Sequence, residues 1–171
     1  MPTTAEELEA IRYTLAAYNI AGDRMRLDAL AATFTEDGVL ETPASTLRGR
    51  AGIAAGLGGG GPRSAEGAAA PTGRRPTFVR HHLTTSLLDL TGPDTAAGRT
   101  YFMVFTDVGP DHAGFYVDKL RKVDGAWLFE HRRVMIDWMS EATLFGNLVE
   151  AHKARMAARG APAQIPLEPT T

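Results

Sequence analysis

The chemistry open to this chain rests on four residue types. None of its 171 residues is cysteine, which excludes thiolate nucleophiles, disulfides and Cys-based zinc or iron–sulfur sites. Asp, His, Tyr and Arg remain. A carboxylate such as Asp23, held under an apolar sheet, has its ionised form disfavoured by desolvation and restored by a nearby imidazole. Such an Asp–His pair is a general acid and base near neutral pH. Asp23 also follows Gly22 and precedes an expected helix, which is N-cap grammar, so capping and catalysis are both open to it. His81 and His82 are neighbours in an expected strand and point to opposite faces. Arg80, His82, Thr84 and Ser86 share one face; Val79, His81, Leu83, Thr85 and Leu87 share the other. One imidazole is then expected to face a polar-lined cavity and the other a core or an interface.

Other polar groups join these. Tyr18 lies seven residues after Ile11 on a helical face, as a core aromatic or as a phenol steadying developing oxyanion charge. Tyr116 and Asp118 lie two apart on one strand face. Asp118 is either a second cavity carboxylate or the buried partner of Arg132 or Arg133, and an inward Arg pairs with it or anchors a substrate anion. Phe102, Met103 and Phe105 line the pocket or pack the core. Metal binding is not expected: no pair among His81, His82, His112, His131 and His152 has His-x-x-x-His spacing. Ser45, Ser64, Ser86 and Ser140 lack nucleophile-elbow context. The Gly-rich run has neither a following Gly-Lys-Ser/Thr nor a strand–turn–helix setting, so it is no phosphate loop.

The elements that must position these groups follow from pattern. Thr4 and Glu7 have capping-box spacing, and Leu8, Ile11, Leu15 and Tyr18 make one apolar helical face ending near Gly22. A second helix is expected from about Arg24, with Leu27, Leu30, Ala31 and Phe34 on its apolar side. Thr35 to Gly38 read as a turn, Val39 to Thr42 as a short strand, and Gly49 to Ala55 as a short helix. Residues 56–76 form a Gly-rich insertion, a surface loop or a lid. Four strands are expected at Thr77 to Leu90, Ala96 to Asp107, Ala113 to Val123 and Ala126 to Ile136. The turns between them are short: Thr91 to Asp94, Gly109-Pro110-Asp111, which His112 follows, and Asp124-Gly125. A helix follows over 141–159, then a tail at 161–171. Consecutive strands on short turns imply an antiparallel meander, and helices segregated from strands imply α+β. Helices on one face of a curved sheet leave room for a small-molecule site.

Composition bounds the rest. Lys and Arg total 18 against 20 Asp and Glu, for a net charge of −2. A chain so near neutral has no global electrostatic reason to bind nucleic acid or an anionic membrane. Hydrophobic residues are 44% and charged residues 22%, as in an ordinary globular domain, and one domain over 1–160 is expected. No basic start precedes an apolar run and no stretch is long enough to span a bilayer, so the expected location is cytoplasmic.

The order of several segments resembles the SnoaL-like proteins of the nuclear transport factor 2-like superfamily. These are Tyr18-x-x-x-x-Asp23, Asp28-x-Leu30, Phe34-x-Glu36-Asp37-Gly38 and Arg80-His81-His82-Leu83-Thr84-Thr85. The last hairpin also matches, through Tyr116-x-Asp118, Asp124-Gly125-x-Trp127, His131-Arg132-Arg133 and Asp137-Trp138. The resemblance implies a cone-shaped half-barrel of strongly curved antiparallel sheet closed by N-terminal helices. It is nearest in look to scytalone dehydratase and the bile-acid dehydratases. It implies catalytic roles for Asp23, His82 and Tyr18, with Tyr116, Asp118, Arg132, Phe102 and Thr100 at the substrate. The family's second strand-borne acid/base group falls near Thr100, which carries no such group. The implied activity is a cofactor-independent elimination, dehydration or loss of a small carbonyl fragment, on a small apolar aromatic or polycyclic molecule. A ketosteroid-isomerase-like activity and a non-catalytic binding or assembly module are the alternatives. The resemblance also implies a homodimer or homotrimer covering the outer sheet face, where Val79, Leu83, Leu87, Tyr101, Met103 and Phe105 are expected.

Overall fold

The computed structural model describes residues 3–58 and 75–158. Most of the Gly-rich insertion and the whole of 161–171 lie outside the described residues. Helix α1 (Thr4–Asp23) opens on a capping box, one residue earlier than the spacing at Thr4 suggested. The Thr3 hydroxyl accepts from the Glu6 N–H, and the Glu6 carboxylate accepts from the Thr3 N–H. Ile11, Leu15 and Tyr18 are buried on one side of the helix, as their spacing predicts.

At its far end α1 runs past Gly22. The Arg26 N–H reaches the Ala21 carbonyl and the Met25 N–H reaches that of Gly22. Met25 takes the left-handed conformation there, φ 53°, which is a Schellman closure. The second helix is therefore only α2 (Leu27–Ala31), with Arg26 and not Asp23 at its N-cap. Phe34, expected on that helix, begins strand β1 (Phe34–Glu41), which passes through the expected turn. Strand β2 (Thr46–Arg48) and helix α3 (Gly49–Leu57) follow.

The meander is β3 (Arg80–Leu90), β4 (Thr95–Thr106), β5 (Gly109–Val123) and β6 (Ala126–Met139), before helix α4 (Gly146–Ala158). The expected turn at Gly109-Pro110-Asp111 is already strand, and Asp107 and Val108 make the reversal. Asp124 and Gly125 turn with φ of 49° and 82°, the double left-handed geometry of a tight hairpin. The sheet is six-stranded, ordered β2-β1-β6-β5-β4-β3. β3 to β6 pair antiparallel, whereas β1 joins β6 in parallel. The architecture is α+β, a curved and unclosed sheet with its N-terminal helices packed over the concave face.

Between helices and sheet, Ile11, Phe34, Leu40, Ile53 and Phe129 have no exposed surface; each contributes about 1.5–3 kcal/mol by leaving water. Three bonds hold α1 at a set height above the sheet. Thr14 Oγ1 donates to the Trp127 carbonyl (2.7 Å), and Trp127 Nε1 and Lys122 Nζ donate to the Glu7 carboxylate (2.6 and 2.5 Å). That docking delivers the end of α1, and Asp23 with it, to β3.

The strand faces differ from simple alternation. A register shift between Leu83 and Ser86 resets β3, so Ser86 and Leu88 join the inner face while Leu87 is 64% exposed. Val79 and Leu83, expected outside, pack against the core. Leu87, Tyr101, Met103 and Val117 remain as exposed apolar groups. Among the described residues no helix is long and apolar enough to cross a membrane.

Candidate active site

Asp23 is the last residue of α1. A carboxylate there meets the negative end of the helix dipole, an unfavourable position by itself. Both oxygens are instead taken up by one residue of β3: Oδ1 lies 2.6 Å from His81 Nδ1, and Oδ2 accepts the His81 backbone N–H at 3.1 Å. A carboxylate only accepts, so Nδ1 carries a proton toward Asp23, and Nε2 makes no hydrogen bond among the described residues. The side chains of Asp23 and His81 are 11% and 23% exposed, desolvated yet within reach of solvent.

His82 was expected beside Asp23, and the structure pairs Asp23 with His81 instead. His82 is exposed on the outer face, its ring edge-on to Phe105 at 5.2 Å. The reason is geometric: the inner face of β3 at this point is the one carrying Val79, His81 and Leu83, because that side packs beneath the helices. The N-cap reading of Asp23 likewise gives way to the Schellman closure.

An aromatic wall continues inward from the pair. The Phe102 ring lies 6.2 Å from that of His81 and stacks on Tyr116 at 4.6 Å. Both were expected at the substrate, and both are buried. The Tyr116 hydroxyl donates to Asn19 Oδ1 at 3.0 Å, while Asn19 Nδ2 donates to the Leu15 carbonyl. Burial pushes the Tyr116 phenol well above its ordinary pKa, and the neighbouring Tyr18 adds to this. Tyr18 is raised by burial too, with Arg132 working in the opposite direction.

Asp118 and Arg132 face one another across β5 and β6 and close a two-pronged ion pair at 2.8 and 2.7 Å, with neither side chain exposed. Burial works against the Arg132 charge, and Asp118 more than restores it. The guanidinium also lies 4.4 Å from the Tyr18 ring centroid, 4.0 Å from Tyr116 and 3.9 Å from Phe129. The pair expected at the substrate thus chiefly satisfies itself; of its polar atoms, Arg132 Nη1 has no hydrogen-bond partner among the described residues. Thr100 is buried against Ser86, hydroxyl to hydroxyl at 2.7 Å.

Asn19 and His112 are the inner-face residues that sequence reasoning passed over. By its sequence position His112 follows an expected turn. It lies instead on β5 beside Phe102, with ring centroids 6.1 Å apart and Nδ1 2.8 Å from Asp111 Oδ1. The adjacent Asp-His dipeptide was the available signal. Among the described residues no group of three or more His, Asp or Glu is placed to hold a metal ion. Two open surface hollows, of about 300 and 500 Å³, lie elsewhere. One is lined by Glu41, Arg133 and Arg155 and the other by Asp37, Arg48 and Lys119, and neither touches Asp23 or His81.

The family described as SnoaL-like domain matches residues 3–133. No curated protein matches the sequence. Among solved structures, a protein of unknown function from Mycobacterium tuberculosis is similar at 25% identity and a TM-score of 0.66, over 86% of this chain and 89% of that one. A scytalone-dehydratase-like protein from Novosphingobium aromaticivorans shares 22% identity at a TM-score of 0.62, over 82% and 93%. ActVI-ORFA from Streptomyces coelicolor shares 24% at 0.61, over 76% and 97%.

Proposed function

This chain belongs to the SnoaL-like family, and on that premise we propose that it is a cofactor-independent acid–base lyase. It acts on a small, largely apolar, aromatic or polycyclic molecule. Nε2 of His81 takes a proton from carbon next to the conjugated system. The electron pair of that C–H bond becomes a double bond as the neighbouring C–O bond breaks. The departing oxygen then takes the proton back and leaves as water; loss of a small carbonyl fragment is the related outcome. Asp23 fixes the tautomer and stabilises the imidazolium between these steps, and Tyr18 holds a substrate oxygen. The observation that carries this reading is the 2.6 Å bond from Asp23 to Nδ1 in a ring beside Phe102, whose Nε2 makes no hydrogen bond among the described residues. General base catalysis of this kind contributes about 10²–10⁴-fold.

A second reading, a non-catalytic binding module, is favoured by one observation. Tyr116, Thr100 and Asp118 spend their hydrogen bonds on neighbours inside the protein. Incubation with a panel of hydroxylated aromatic and polycyclic compounds, followed by mass spectrometry for loss of water, separates the two. Turnover by the wild type, lost in Asp23→Asn and His81→Gln with unchanged melting temperature, is the expected result. Compounds that bind and emerge unaltered in deuterated water, with no exchange at carbon, would favour the binding module.

A further inference from the structure

The interior holds a second carboxylate–imidazole pair with the same internal arrangement as the first. Asp111 Oδ1 holds His112 Nδ1 at 2.8 Å, and the same carboxylate accepts from Thr143 Oγ1 (2.6 Å), from the Leu144 N–H (2.9 Å) and from Thr106 Oγ1 (3.2 Å). Asp111 has no exposed surface and His112 has 4%. Four donors on one carboxylate keep it ionised, so Nδ1 of His112 carries its proton and Nε2 is a bare acceptor. Nε2 makes no hydrogen bond among the described residues. The His112 ring meets Phe102 edge-on, 81° between planes, and Phe145 covers it from α4's side at 4.9 Å. His81 lies beside the same Phe102 ring. Two imidazole rings, each held at Nδ1 by a carboxylate, therefore flank one phenyl ring.

We propose that His112 is a second substrate-contacting residue of this site, whose Nε2 accepts a hydrogen bond from a hydroxyl group of the bound molecule. The substrate class is thereby narrowed to apolar molecules carrying a hydroxyl donor, oriented with that hydroxyl at His112 and its acidic carbon at His81. This rests on the reading of His81 as the base. An acceptor on a ring with only 4% exposure favours ligands that supply a donor, so a hydroxyl compound and its methyl ether are discriminated beyond their difference in size.

Phenol and anisole test this on the labelled wild-type protein, by nitrogen-15 spectra of the imidazoles and by binding titration. Phenol is expected to move the Nε2 resonance of His112 and to bind about tenfold tighter than anisole, the worth of one net hydrogen bond. His112→Phe is expected to abolish that preference, and His81→Gln to leave it intact. Equal affinity for the two probes, or a response at His81 with none at His112, overturns the role of His112 and leaves the first reading standing. A response at His112, with His81→Gln turning over like the wild type, overturns the role of His81 instead. Silence at both rings overturns both. The spectra need no substitution, so they decide the question even if His112→Phe fails to fold.

Discussion

Two couples, each holding a carboxylate, sit under the same helices and have been built to opposite ends. Asp118 and Arg132 are wholly sealed, joined by two hydrogen bonds and packed between aromatic rings. Asp23 and His81 keep part of their side chains exposed and are joined by one side-chain bond, with no further hydrogen bond on the ring among the described residues. The first couple has both charges neutralised and little left to give a ligand. The second is mostly shielded yet keeps 23% of the His81 side chain exposed, within reach of a ligand. A charged residue inside a sheet therefore says little about chemistry until its remaining valence is known.

That contrast can be broken from either side. The largest effect is expected at the partly exposed couple. His81→Gln and Asp23→Asn should each lower turnover of an accepted substrate by about 10²–10⁴-fold, with urea unfolding close to that of the wild type. Equal turnover would place the two couples in one structural class. The sealed couple should respond the other way. Asp118→Ala strands Arg132 and should cost about 3–5 kcal/mol in urea unfolding. Replacing both, Asp118→Leu with Arg132→Met, should recover most of the loss, because no buried charge is then left over.

Next is the backbone beneath them. A Cβ on Gly114 would fall far inside contact distance of the Met135 carbonyl oxygen, so Gly114→Ala should cost about 3 kcal/mol through strain, read as a lower urea midpoint.

Acid should act on the Asp111–His112 pair. Burial depresses the His112 pKa, opposed by Asp111, and His81 depresses it further. Burial raises Asp111, and bonds from His112, Thr143 and Leu144 more than offset this, so it too is lowered. Both groups bind protons more readily unfolded. Stability should therefore be full above the ordinary histidine range. It should begin to fall as pH drops below about 6.5 and fall again below about 3.9, in melting temperatures recorded across pH. A His112→Phe variant that folds should lose the first step. The smallest effect is at His82: His82→Ala should change stability by less than about 0.5 kcal/mol and leave turnover alone.

Much of the frame was legible in the linear chain because it is set by local rules. The 3–4 spacing of Ile11, Leu15 and Tyr18 marks a helical face, and Asp124-Gly125 marks a hairpin through its backbone preferences. Tyr18 and Asp118 were legible as groups that could be buried, and both are, while Arg132 as the partner of Asp118 was one of two alternatives weighed. Which of His81 and His82 looks inward was not legible. Period-two alternation separates the two faces without saying which one the helices cover, and the shift after Leu83 changes the alternation midway. His112 was missed for a related reason, since Gly109-Pro110-Asp111 has turn composition yet opens β5 on a left-handed glycine, φ 83°.

By itself, then, the sequence determined the α+β class, the helical and hairpin segments, the lack of thiol chemistry and the short roster of groups able to move a proton. These depend on contacts within a few residues or on composition alone. Tertiary structure decided the rest. It brought Asp23 to His81 across 58 positions, turned His82 outward, spent Asp118 on Arg132 and set His112 beside Phe102. Each is a matter of how a curved sheet meets the helices above it, and a local pattern carries no record of that meeting.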